Sequence, residues 1–297
     1  MKILITGIAG FIGSHLADRL LADGHDIHGI DNLSTGRIEN VPDGAHLLVA
    51  DISDGVPDGC WDVIYHCAAS YRDRDAWELD TRTNVLGTIA VVREAQRSGA
   101  RLVYFQTSLC YGPSPSSPVD LTAPLDPRGS YAVSKTAGES YIHDSGVPFT
   151  TLRLANIYGP RNLSGPVPTF YKRLTEGRPC TVVDSRRDYV YIDDLVDLAT
   201  GMDAGGRDTY HASTGSDYAI IDLYHAICSA LDMDPGSPAI TPRGPDDVAT
   251  LLLDPSATEE TFGWTATTPL DVGIAAAVAW YAEHGVGETF THLAQKG

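Results

Sequence analysis

Three side chains near the middle of the chain, Thr107, Tyr131 and Lys135, have types and spacing that could oxidise an alcohol. Tyr131 and Lys135 occupy positions i and i+4 of a helical pattern, so both side chains leave the same face of the helix. A free phenol has a pKa of about 10 and is a poor base at neutral pH, whereas a phenol beside an ammonium group ionises more easily. Tyr131 could therefore take the proton of an alcohol.

A strand would position Thr107. The apolar run Arg101–Phe105 predicts a buried parallel strand, and it delivers Gln106, Thr107 and Ser108 to its carboxyl end, where open α/β sheets bind their ligands. The Tyr-x-x-x-Lys spacing alone is common on helices and usually reflects packing plus a solvated charge. The strand end and the glycine-rich motif upstream favour the catalytic interpretation.

That upstream motif is a glycine-rich turn. The run Lys2–Thr6 predicts a strand, and it is followed by the sequence GIAGFIG and a helical pattern through Leu21. Gly7 permits a tight turn, Gly10 lets the backbone approach a pyrophosphate at the helix N-terminus, and Gly13 allows the helix to pack closely on the strand. The order of strand, turn and helix predicts a dinucleotide-binding site.

Asp31 would select the dinucleotide. A second predicted strand, His25–Ile30, ends at Asp31, which follows the turn by the roughly 20 residues at which a carboxylate bonds the adenosine ribose hydroxyls. The same carboxylate would repel a 2′-phosphate, which favours NAD over NADP. Arg37 lies close enough in sequence to keep NADP open as an alternative.

Two further predicted strands end in residues suited to the same cofactor. His46–Ala50 leads to Asp51, which could bond an adenine amino group or could cap a turn. Trp61–His66 leads to Cys67 and to two alanines, Ala68 and Ala69, whose small side chains would let the cofactor lie across the strand ends. The charged loop Tyr71–Asp75 follows at the same edge, as either a substrate lid or a solvated loop.

Composition excludes some classes of partner. Lys and Arg number 21 and Asp and Glu 39, so the formal net charge is −18. Such a surface repels phosphate backbones, which argues against nucleic acid and anionic membranes as partners. An anionic substrate would need local arginines.

Cysteines and hydropathy predict the compartment. The five cysteines are scattered without a C-x-x-C pair, so we expect neither a disulfide framework nor a zinc site, and no metal. No apolar run approaches the roughly 20 residues of a membrane span, and the N-terminal residues show no signal-peptide pattern. We expect a soluble cytoplasmic protein.

Alternating strand and helix patterns predict an α/β fold, with a Rossmann-like doubly wound parallel sheet of six or so strands and a smaller C-terminal substrate-binding cap. The predicted strand Pro148–Leu154 brings Asn156 to the carboxyl edge. The predicted domains are 1–165, which binds NAD, and 166–297, mainly for substrate, with the part near 186–204 returning to the first domain. In the cap, Arg187 and Arg243 are candidates for holding a diphosphate, although surface exposure is the commoner fate of arginine.

The motifs occur in an order that resembles one family. GIAGFIG, DNLSTG, HCAAS, TSLCYG, SYAVSK, RLANIYGPR and RRDYVYIDD together resemble the extended short-chain dehydrogenase/reductases, specifically the nucleotide-sugar epimerase/dehydratase family, from Met1 to about Trp280. The stretches HCAASYRDRDAWELD, FQTSLCYG, SYAVSKTAGE and GPVPTFYKRL are most similar to sugar-nucleotide epimerases of bacterial surface-polysaccharide loci. The resemblance implies NAD as cofactor and a nucleotide-diphosphate sugar as substrate.

The resemblance and the motifs together imply the site residues. The catalytic residues would be Thr107, Tyr131 and Lys135. Substrate binding would fall to Ser108, Asn156, Arg187 and Arg243. The cofactor would be bound by Gly7, Gly10, Phe11, Ile12, Gly13, Asp31, Asn32, Ser34, Gly36, Asp51, Ile52, Cys67, Ala68, Ala69, Asn84, Tyr131 and Lys135.

Departures from the family pattern narrow the reaction. In its 4,6-dehydratases the catalytic Thr is followed directly by Asp and Glu, which eliminate water, whereas here Ser108 and Leu109 hold those places. Decarboxylating members keep a Glu at the second place, and fucose-type epimerase-reductases have a Cys there, but Cys110 lies one residue later. The resemblance therefore favours a 4-epimerase. The segment Val183–Arg186 is shorter than the family's loop, which leaves the nucleotide base open.

Other functions remain open from the sequence. One is an NAD(P)-dependent nucleotide-sugar reductase, dehydrogenase or dehydratase, including an ADP-heptose-type epimerase. Another is a non-catalytic NAD(P)-binding protein, against which the intact Thr107, Tyr131 and Lys135 argue. Family members pair through two helices per subunit, and the matching segments are Asp80–Gly99 and Tyr131–Asp144. The resemblance thus implies a homodimer with a four-helix interface.

Overall fold

Strands and helices alternate along most of the chain. The computed structural model describes residues 1–73, 75–113, 116–202, 207–243 and 250–289. The described strands are β1 (Lys2–Thr6), β2 (Asp26–Asp31), β3 (His46–Val49), β4 (Val63–His66), β5 (Arg101–Thr107), β6 (Phe149–Leu154), β7 (Asn156–Tyr158), β8 (Thr181–Val183), β9 (Arg186–Arg187), β10 (Tyr189–Tyr191), β11 (Arg207–Ala212), β12 (Tyr218–Ala219), β13 (Ala239–Thr241) and β14 (Thr250–Leu251).

The described helices flank these strands. They are α1 (Phe11–Ala22), α2 (Trp77–Asp80), α3 (Thr88–Ser98), α4 (Ser130–Asp144), α5 (Pro166–Thr175), α6 (Ile192–Gly201), α7 (Ile220–Ala230), α8 (Ser256–Phe262) and α9 (Leu270–His284). Short 3₁₀ turns lie at Ile38–Asn40, Ile52–Asp54 and Ser108–Tyr111. None of the helices within the described ranges is both long and apolar enough to cross a bilayer.

Seven strands form a parallel sheet in the order β11-β6-β5-β4-β1-β2-β3. Successive residues of a strand face opposite sides, so Ile3 and Ile5 pack with Leu16 of α1 and Leu195 of α6, whereas Leu4 packs in the core on the other face. The predicted Rossmann-like doubly wound sheet is confirmed. Its outer strand β11 was not predicted. Strand order reverses between β1 and β4, where folds of this type open a ligand crevice.

One predicted helix has a different internal geometry. The sequence predicts a single helix over Glu78–Ser98, and the structure has α2 and α3 joined by a π-helical stretch, Thr81–Gly87. π turns interrupt an α-helix locally and frequently occur at functional sites. The stretch is close to the active-site edge, because its Asn84 hydrogen-bonds Ser70, which follows β4.

The C-terminal part forms a cap built of short strands and three helices. Strand β9 pairs with β12 in antiparallel and β14 in parallel orientation, and β7 pairs with β10. Helices α5, α7 and α9 share an apolar core that includes Phe170, Tyr224, Ile227 and Tyr281. This core is separate from the two cores of the main sheet.

The chain crosses between the two parts more than once. Val190, Ile192 and Leu195 belong to a core of the main sheet, and β11 pairs with β6 of that sheet. The division at 165 and the return near 186–204 remain predictions. Residues 203–206, 244–249 and 290–297 of the predicted second domain lie outside the described residues.

Candidate active site

A cavity of about 920 Å³ opens at the carboxyl ends of the central strands and continues beneath the cap. Most of the predicted site residues line it. They are Gly7, Gly10, Phe11, Ile12, Gly13, Asp31, Asn32, Ser34, Asp51, Ile52, Cys67, Ala68, Ala69, Thr107, Ser108, Tyr131, Lys135, Asn156 and Arg187. One continuous site therefore joins the glycine turn, the catalytic side chains and part of the cap.

The glycine turn has no room for side chains. A Cβ at Gly13 would lie 2.2 Å from the carbonyl oxygen of Gly7, and a Cβ at Gly7, whose φ is +73°, would lie 2.8 Å from the amide nitrogen of Ala68. Helix α1 then starts at Phe11 without a side-chain cap, so its first N–H groups face the cavity with no intrahelical acceptor. A cradle of backbone N–H groups at a helix N-terminus fits a pyrophosphate.

Asp31 is fixed at the end of β2 by two backbone groups. Its carboxylate accepts hydrogen bonds from Ala9 N–H at 3.0 Å and Leu33 N–H at 2.8 Å. Burial raises the pKa of Asp31, and these two bonds oppose the rise. Arg37 is not among the cavity-lining residues of the described chain, and its guanidinium lies near Gly287. The arrangement favours a ribose with free hydroxyls over a 2′-phosphate.

Asp51 caps a turn at the cavity wall, and its contact with an adenine amino group remains a prediction. Its side chain caps the turn at Ile52–Asp54 by accepting from Ser53 N–H at 2.9 Å and from the Ser53 hydroxyl at 2.6 Å. It also accepts from Asn32 Nδ2 at 3.0 Å and lines the cavity. Although burial opposes ionisation, the hydrogen bonds from Ser53 and Asn32 hold the pKa of Asp51 below its ordinary value.

The three catalytic candidates meet at the cavity wall. Thr107, the last residue of β5, hydrogen-bonds the Tyr131 hydroxyl, and its own hydroxyl accepts from Leu109 N–H at 3.2 Å. Lys135 lies one turn further along α4, with its ammonium group 3.9 Å from the centroid of the Tyr104 ring. The Tyr104 hydroxyl donates to the backbone carbonyl of Lys135 at 2.9 Å, which ties α4 to β5.

The electrostatics of these groups differ from the expectation. Burial raises the pKa of Tyr131, and Tyr71 and Asp80 raise it further, while the bond from Thr107 lowers it. Burial also lowers the pKa of Lys135 to about 7, against the opposing effects of Cys67 and Glu139. Desolvation is the largest cause of the rise in the pKa of Tyr131, so positive charge brought into the cavity would favour its ionisation.

A buried hydrogen-bond chain holds Thr107 and α4 together. The Thr107 N–H donates to Gln106 Oε1 at 2.8 Å, and Gln106 Nε2 donates to Glu139 Oε2 at 3.0 Å. Glu139, one turn after Lys135, forms an ion pair with Arg153 of β6 at 3.1 Å, and the side chains are 2% and 7% exposed. This pair fixes α4 relative to β5 and β6.

The hydrogen-bond chain continues from Arg153 to His211 on β11, the outer strand of the sheet. Arg153 donates to the Tyr111 hydroxyl at 2.7 Å, and that hydroxyl lies 2.7 Å from His211 Nε2. The other ring nitrogen of His211 lies 2.8 Å from the carbonyl oxygen of Asp254, which can only accept. His211 therefore carries its proton on Nδ1 and accepts from Tyr111. Burial lowers the pKa of His211 to about 4, consistent with a neutral ring.

Three predicted residues do not line the cavity. Asn84 is buried and accepts from Ser70 N–H at 2.8 Å while its amide donates to Ser134 Oγ at 2.9 Å, so it orders the loop after β4 and α4. Gly36 packs against Ala9 and Asp31, and a Cβ there would lie 2.8 Å from the Ala9 Cβ. Arg243 is exposed and is absent from the cavity lining within the described ranges.

Sequence reasoning missed two residues beside Tyr131. The Tyr71 ring lies 5.8 Å from the Tyr131 ring, measured between centroids, and lines the cavity. Asp80 of α2 is fully buried, accepts from the Ser70 hydroxyl at 2.7 Å, and has one oxygen without a hydrogen-bond partner. The charged loop after β4 was the available signal for Tyr71. Residue 74 of that loop lies outside the described residues.

The cap supplies the far end of the cavity. Arg187 of β9 is buried, lines the cavity and donates to the Arg186 carbonyl at 2.6 Å. Asn156 of β7 lines the cavity as well, and its amide donates to the Asp188 carbonyl at 3.1 Å. Ser108, next to Thr107, is a third predicted substrate residue at the wall. These groups offer a cation and polar contacts to an anionic ligand.

Known proteins share both the sequence pattern and the fold. The UDP-glucose 4-epimerase of Mycolicibacterium smegmatis is 35% identical over 309 residues, which cover 95% of this chain and 98% of that protein. The Bordetella bronchiseptica enzyme WbmH, solved in complex with NAD+, is 44% identical with a TM-score of 0.92, covering 96% of this chain and 99% of that chain.

A second solved structure carries a nucleotide. The Bordetella bronchiseptica enzyme WbmG in complex with NAD and UDP is 37% identical with a TM-score of 0.90, covering 100% of this chain and 99% of that chain. A family model matches residues 3–204, a span that contains the glycine turn, Asp31 and the three catalytic candidates. The chain belongs to the NAD dependent epimerase/dehydratase family.

Proposed function

We propose that this protein is an NAD-dependent nucleotide-sugar 4-epimerase. The observation that carries the proposal is the placement of Thr107, Tyr131 and Lys135 together at the cavity wall, with Ser108 and Leu109 in the two positions that follow Thr107. The first three groups suit reversible oxidation of a sugar hydroxyl. The last two cannot act as an acid and a base at a neighbouring carbon.

The cofactor is NAD, and the residues at the glycine turn fit it. Backbone N–H groups of Phe11 and Ile12 would face its pyrophosphate, Asp31 would accept from the adenosine ribose, and Ala68 and Ala69 would lie beneath it. When bound, NAD would supply the redox chemistry as acceptor and donor of the C4 hydride, and its oxidised nicotinamide ring would carry a positive charge.

Tyr131 is the proposed acid and base. Its hydroxyl would take the proton of the C4 hydroxyl and later return it, while Thr107 hydrogen-bonds to the same sugar oxygen. Because burial raises the pKa of Tyr131 in the protein alone, positive charge entering the cavity would favour the phenolate. Lys135, with a pKa of about 7, can contribute its charge when protonated.

The groups beside Thr107 argue against elimination and decarboxylation. Leu109 lines the cavity where decarboxylating relatives would have a carboxylate, and Cys110 is fully buried in an apolar cluster with Tyr111, Val119 and Leu253. A 4-ketosugar in this cavity has no side-chain base at these positions to remove a proton from C5. It would persist until it is reduced again on one face or the other.

A nucleoside diphosphate would anchor the sugar while the ketone turns. Arg187 and Asn156 are placed to contact it, which lets the sugar rotate without leaving the site. We propose a UDP-sugar, because the Mycolicibacterium relative is a UDP-glucose 4-epimerase and the WbmG structure contains UDP. Arg243 remains a proposed diphosphate contact, although it is exposed in the structure.

The proposal extends to a homodimer. Three apolar side chains stand exposed on the two helical segments that would form the interface, namely Leu86, Val133 and Tyr141, with Leu86 at 52% and Val133 at 51%. Light scattering of the wild type should give twice the chain mass. Leu86→Glu with Val133→Glu should give a monomer, whereas Ile240→Glu, which replaces a still more exposed apolar residue outside these helices, should not. A monomeric wild type at micromolar concentration would contradict this.

We also propose a cytoplasmic location. All five cysteines are free thiols in the structure, and three of them are buried, which suits a reducing compartment. Fractionation of cells that express the chain at its natural level would test this. Recovery of the protein from an oxidising compartment would count against the assignment.

The test of the reaction is a panel of nucleotide sugars read by NMR and mass spectrometry. UDP-glucose and UDP-N-acetylglucosamine should each be offered to the purified protein, with Tyr131→Phe as the control. We expect a C4 epimer at unchanged mass, with no net change in the 340 nm absorbance of reduced cofactor. A released 4-keto-6-deoxy sugar would replace the proposal with a dehydratase, and stoichiometric consumption of NADH or NADPH would replace it with a reductase.

A further inference from the structure

Two histidines and an aspartate meet at the amino-terminal ends of the sheet strands, on the opposite side of the sheet from the cavity at their carboxyl ends. Asp26 and His28 begin strand β2, and His46 begins β3, so all three lie at the amino ends of parallel strands, whereas the cavity lies at the carboxyl ends. Their metal-binding atoms all fall within 4.8 Å of one another. This cluster takes no part in the proposed reaction.

The sheet register places the three side chains on one face. His28 and His46 are direct partners in the β2–β3 ladder, so their side chains point to the same side. Asp26 precedes His28 by two residues on the same strand and shares that side. The three positions are therefore set by backbone pairing, and the side chains need only rotate about their own bonds to converge.

His28 is already restrained in the position that a metal would require. Its ring packs against His46 with centroids 4.7 Å apart and against Trp61 with centroids 5.1 Å apart. His28 Nε2 lies 3.1 Å from Asp26 Oδ1. Two ligands of a tetrahedral zinc ion, bonded at about 2.0–2.2 Å, are separated by roughly 3.4 Å, so this pair needs little adjustment. His46 is exposed, and its ring already lies against that of His28.

We propose that Asp26, His28 and His46 form a binding site for a late first-row divalent cation such as Zn²⁺. Two imidazoles and one carboxylate match the ligand preference of zinc, and water would complete the tetrahedron because the site faces solvent. The net charge of −18 favours a cation at the surface. The sequence predicted no metal because it offered no cysteine pairs, and the three ligands come together only through strand pairing.

Such an ion would attach β3, the outermost strand on this side of the sheet, more firmly to β2. Within the described residues β3 pairs only with β2, and Leu48 and Val49 of β3 are exposed. A cation held between His46 and the two β2 residues crosslinks the strands in the folded state alone. Zinc should therefore raise the melting temperature in a concentration-dependent way.

The test uses the full chain without a polyhistidine tag. Titration calorimetry with ZnCl₂ at pH 7.5 should show one equivalent bound, and Co²⁺ should give the visible absorption bands of a tetrahedral site. His46→Ala and Asp26→Asn should each raise the dissociation constant by at least about tenfold and remove the zinc-dependent rise in melting temperature. His225→Ala, which changes another exposed histidine, should do neither.

Both substitutions replace exposed residues, so the variants should fold, and their melting temperatures without zinc should match the wild type. Unchanged zinc affinity in His46→Ala and Asp26→Asn would overturn the proposal. So would a wild type that binds neither Zn²⁺ nor Co²⁺ at millimolar concentration. Sugar turnover serves as a separate readout. The metal site lies at the amino ends of the strands, away from the cavity, so loss of the metal site should leave the epimerase assay unaffected.

Discussion

The two ends of the cavity are positioned by different parts of the protein. At the cofactor end the backbone decides the shape, since added Cβ atoms at Gly7 and Gly13 would lie 2.8 Å and 2.2 Å from other main-chain atoms. At the substrate end side chains determine the shape of the cavity. Two of them, Arg187 and Asn156, lie on short strands of 2 and 3 residues, whose positions depend on pairing with distant segments. The cofactor end is therefore specified locally, whereas the substrate end depends on which distant segments pair.

Two arginine–carboxylate pairs, one beside each end of the cavity, differ in how far they are buried. Arg153 and Glu139 lie between α4 and β6 and are almost completely buried. Arg186 and Asp217, in the cap, form a pair of 2.9 Å in which the arginine side chain is 49% exposed. Solvent screens the second pair and leaves the first unscreened. We infer that the ion pair beside the Tyr131 wall contributes more to stability than the ion pair in the cap.

Loss of the Tyr131 hydroxyl should give the largest effect. Tyr131→Phe removes the proposed acid and base but retains the ring that packs against Tyr71, so turnover should fall by about 10²- to 10⁴-fold. NAD content, measured after denaturation of the purified protein, should remain near that of the wild type. Substantial residual turnover would mean that another group moves the proton. Thr107→Val is a matched variant, and we expect a smaller loss from it.

The second prediction concerns the buried ion pair between Glu139 and Arg153. Glu139→Gln would leave the buried Arg153 charge without its partner, and breaking such a pair costs about 3–5 kcal/mol in the free energy of unfolding. Urea denaturation monitored by circular dichroism measures this. Asp217→Asn, which breaks the exposed pair in the cap, should change stability little. Equal losses in the two variants would show that the two regions are held alike.

Sequence alone predicted which residues would line the cofactor end of the cavity, because the features that identify them are close together in the chain. Spacing within helix α4 identifies the pair Tyr131 and Lys135, and spacing within one strand–turn–helix–strand unit identifies the turn from Gly7 to Gly13 and the carboxylate at Asp31. Strand β11 was missed because its place beside β6 is decided by tertiary pairing. The π-helical stretch Thr81–Gly87 was likewise missed, since its hydrogen-bond pattern leaves no mark in the hydrophobic periodicity.

Electrostatics were the hardest property to predict. From the sequence, Lys135 promotes ionisation of Tyr131, but the structure buries both groups, and desolvation raises the pKa of the phenol and lowers that of the ammonium. Neither Asp80 nor Tyr71 could be placed beside Tyr131 without the fold. Spacing identifies which groups can meet, whereas burial sets their protonation.

The third prediction tests cofactor choice. Asp31→Asn removes the charge that would repel a 2′-phosphate and keeps one oxygen, which can accept from the N–H of Ala9 or of Leu33 but not from both, whereas Asp31→Ala would leave both without an acceptor. NAD affinity should fall by about 10- to 100-fold and the preference for NAD over NADP should shrink. Fluorescence titration with both dinucleotides measures this. If the wild type binds NADP more tightly, Asp31 is wrongly assigned and Arg37→Ala becomes the next variant.

The smallest predicted effect lies at the substrate end. Arg187→Gln removes the cation but keeps an amide that can still donate to the Arg186 carbonyl, so the fold of β9 should survive. Because one charge-assisted contact among several is lost, UDP affinity should fall by about tenfold while NAD content stays constant. Arg243→Gln tests the second proposed diphosphate contact, and because its side chain is exposed we expect a smaller loss of UDP affinity than in Arg187→Gln. The reverse order, with Arg243→Gln the weaker binder, would show that the cap rearranges around the nucleotide and that Arg243 closes on the diphosphate. Competition between UDP and UMP separates these outcomes further, since only an arginine that contacts the second phosphate should distinguish the two ligands.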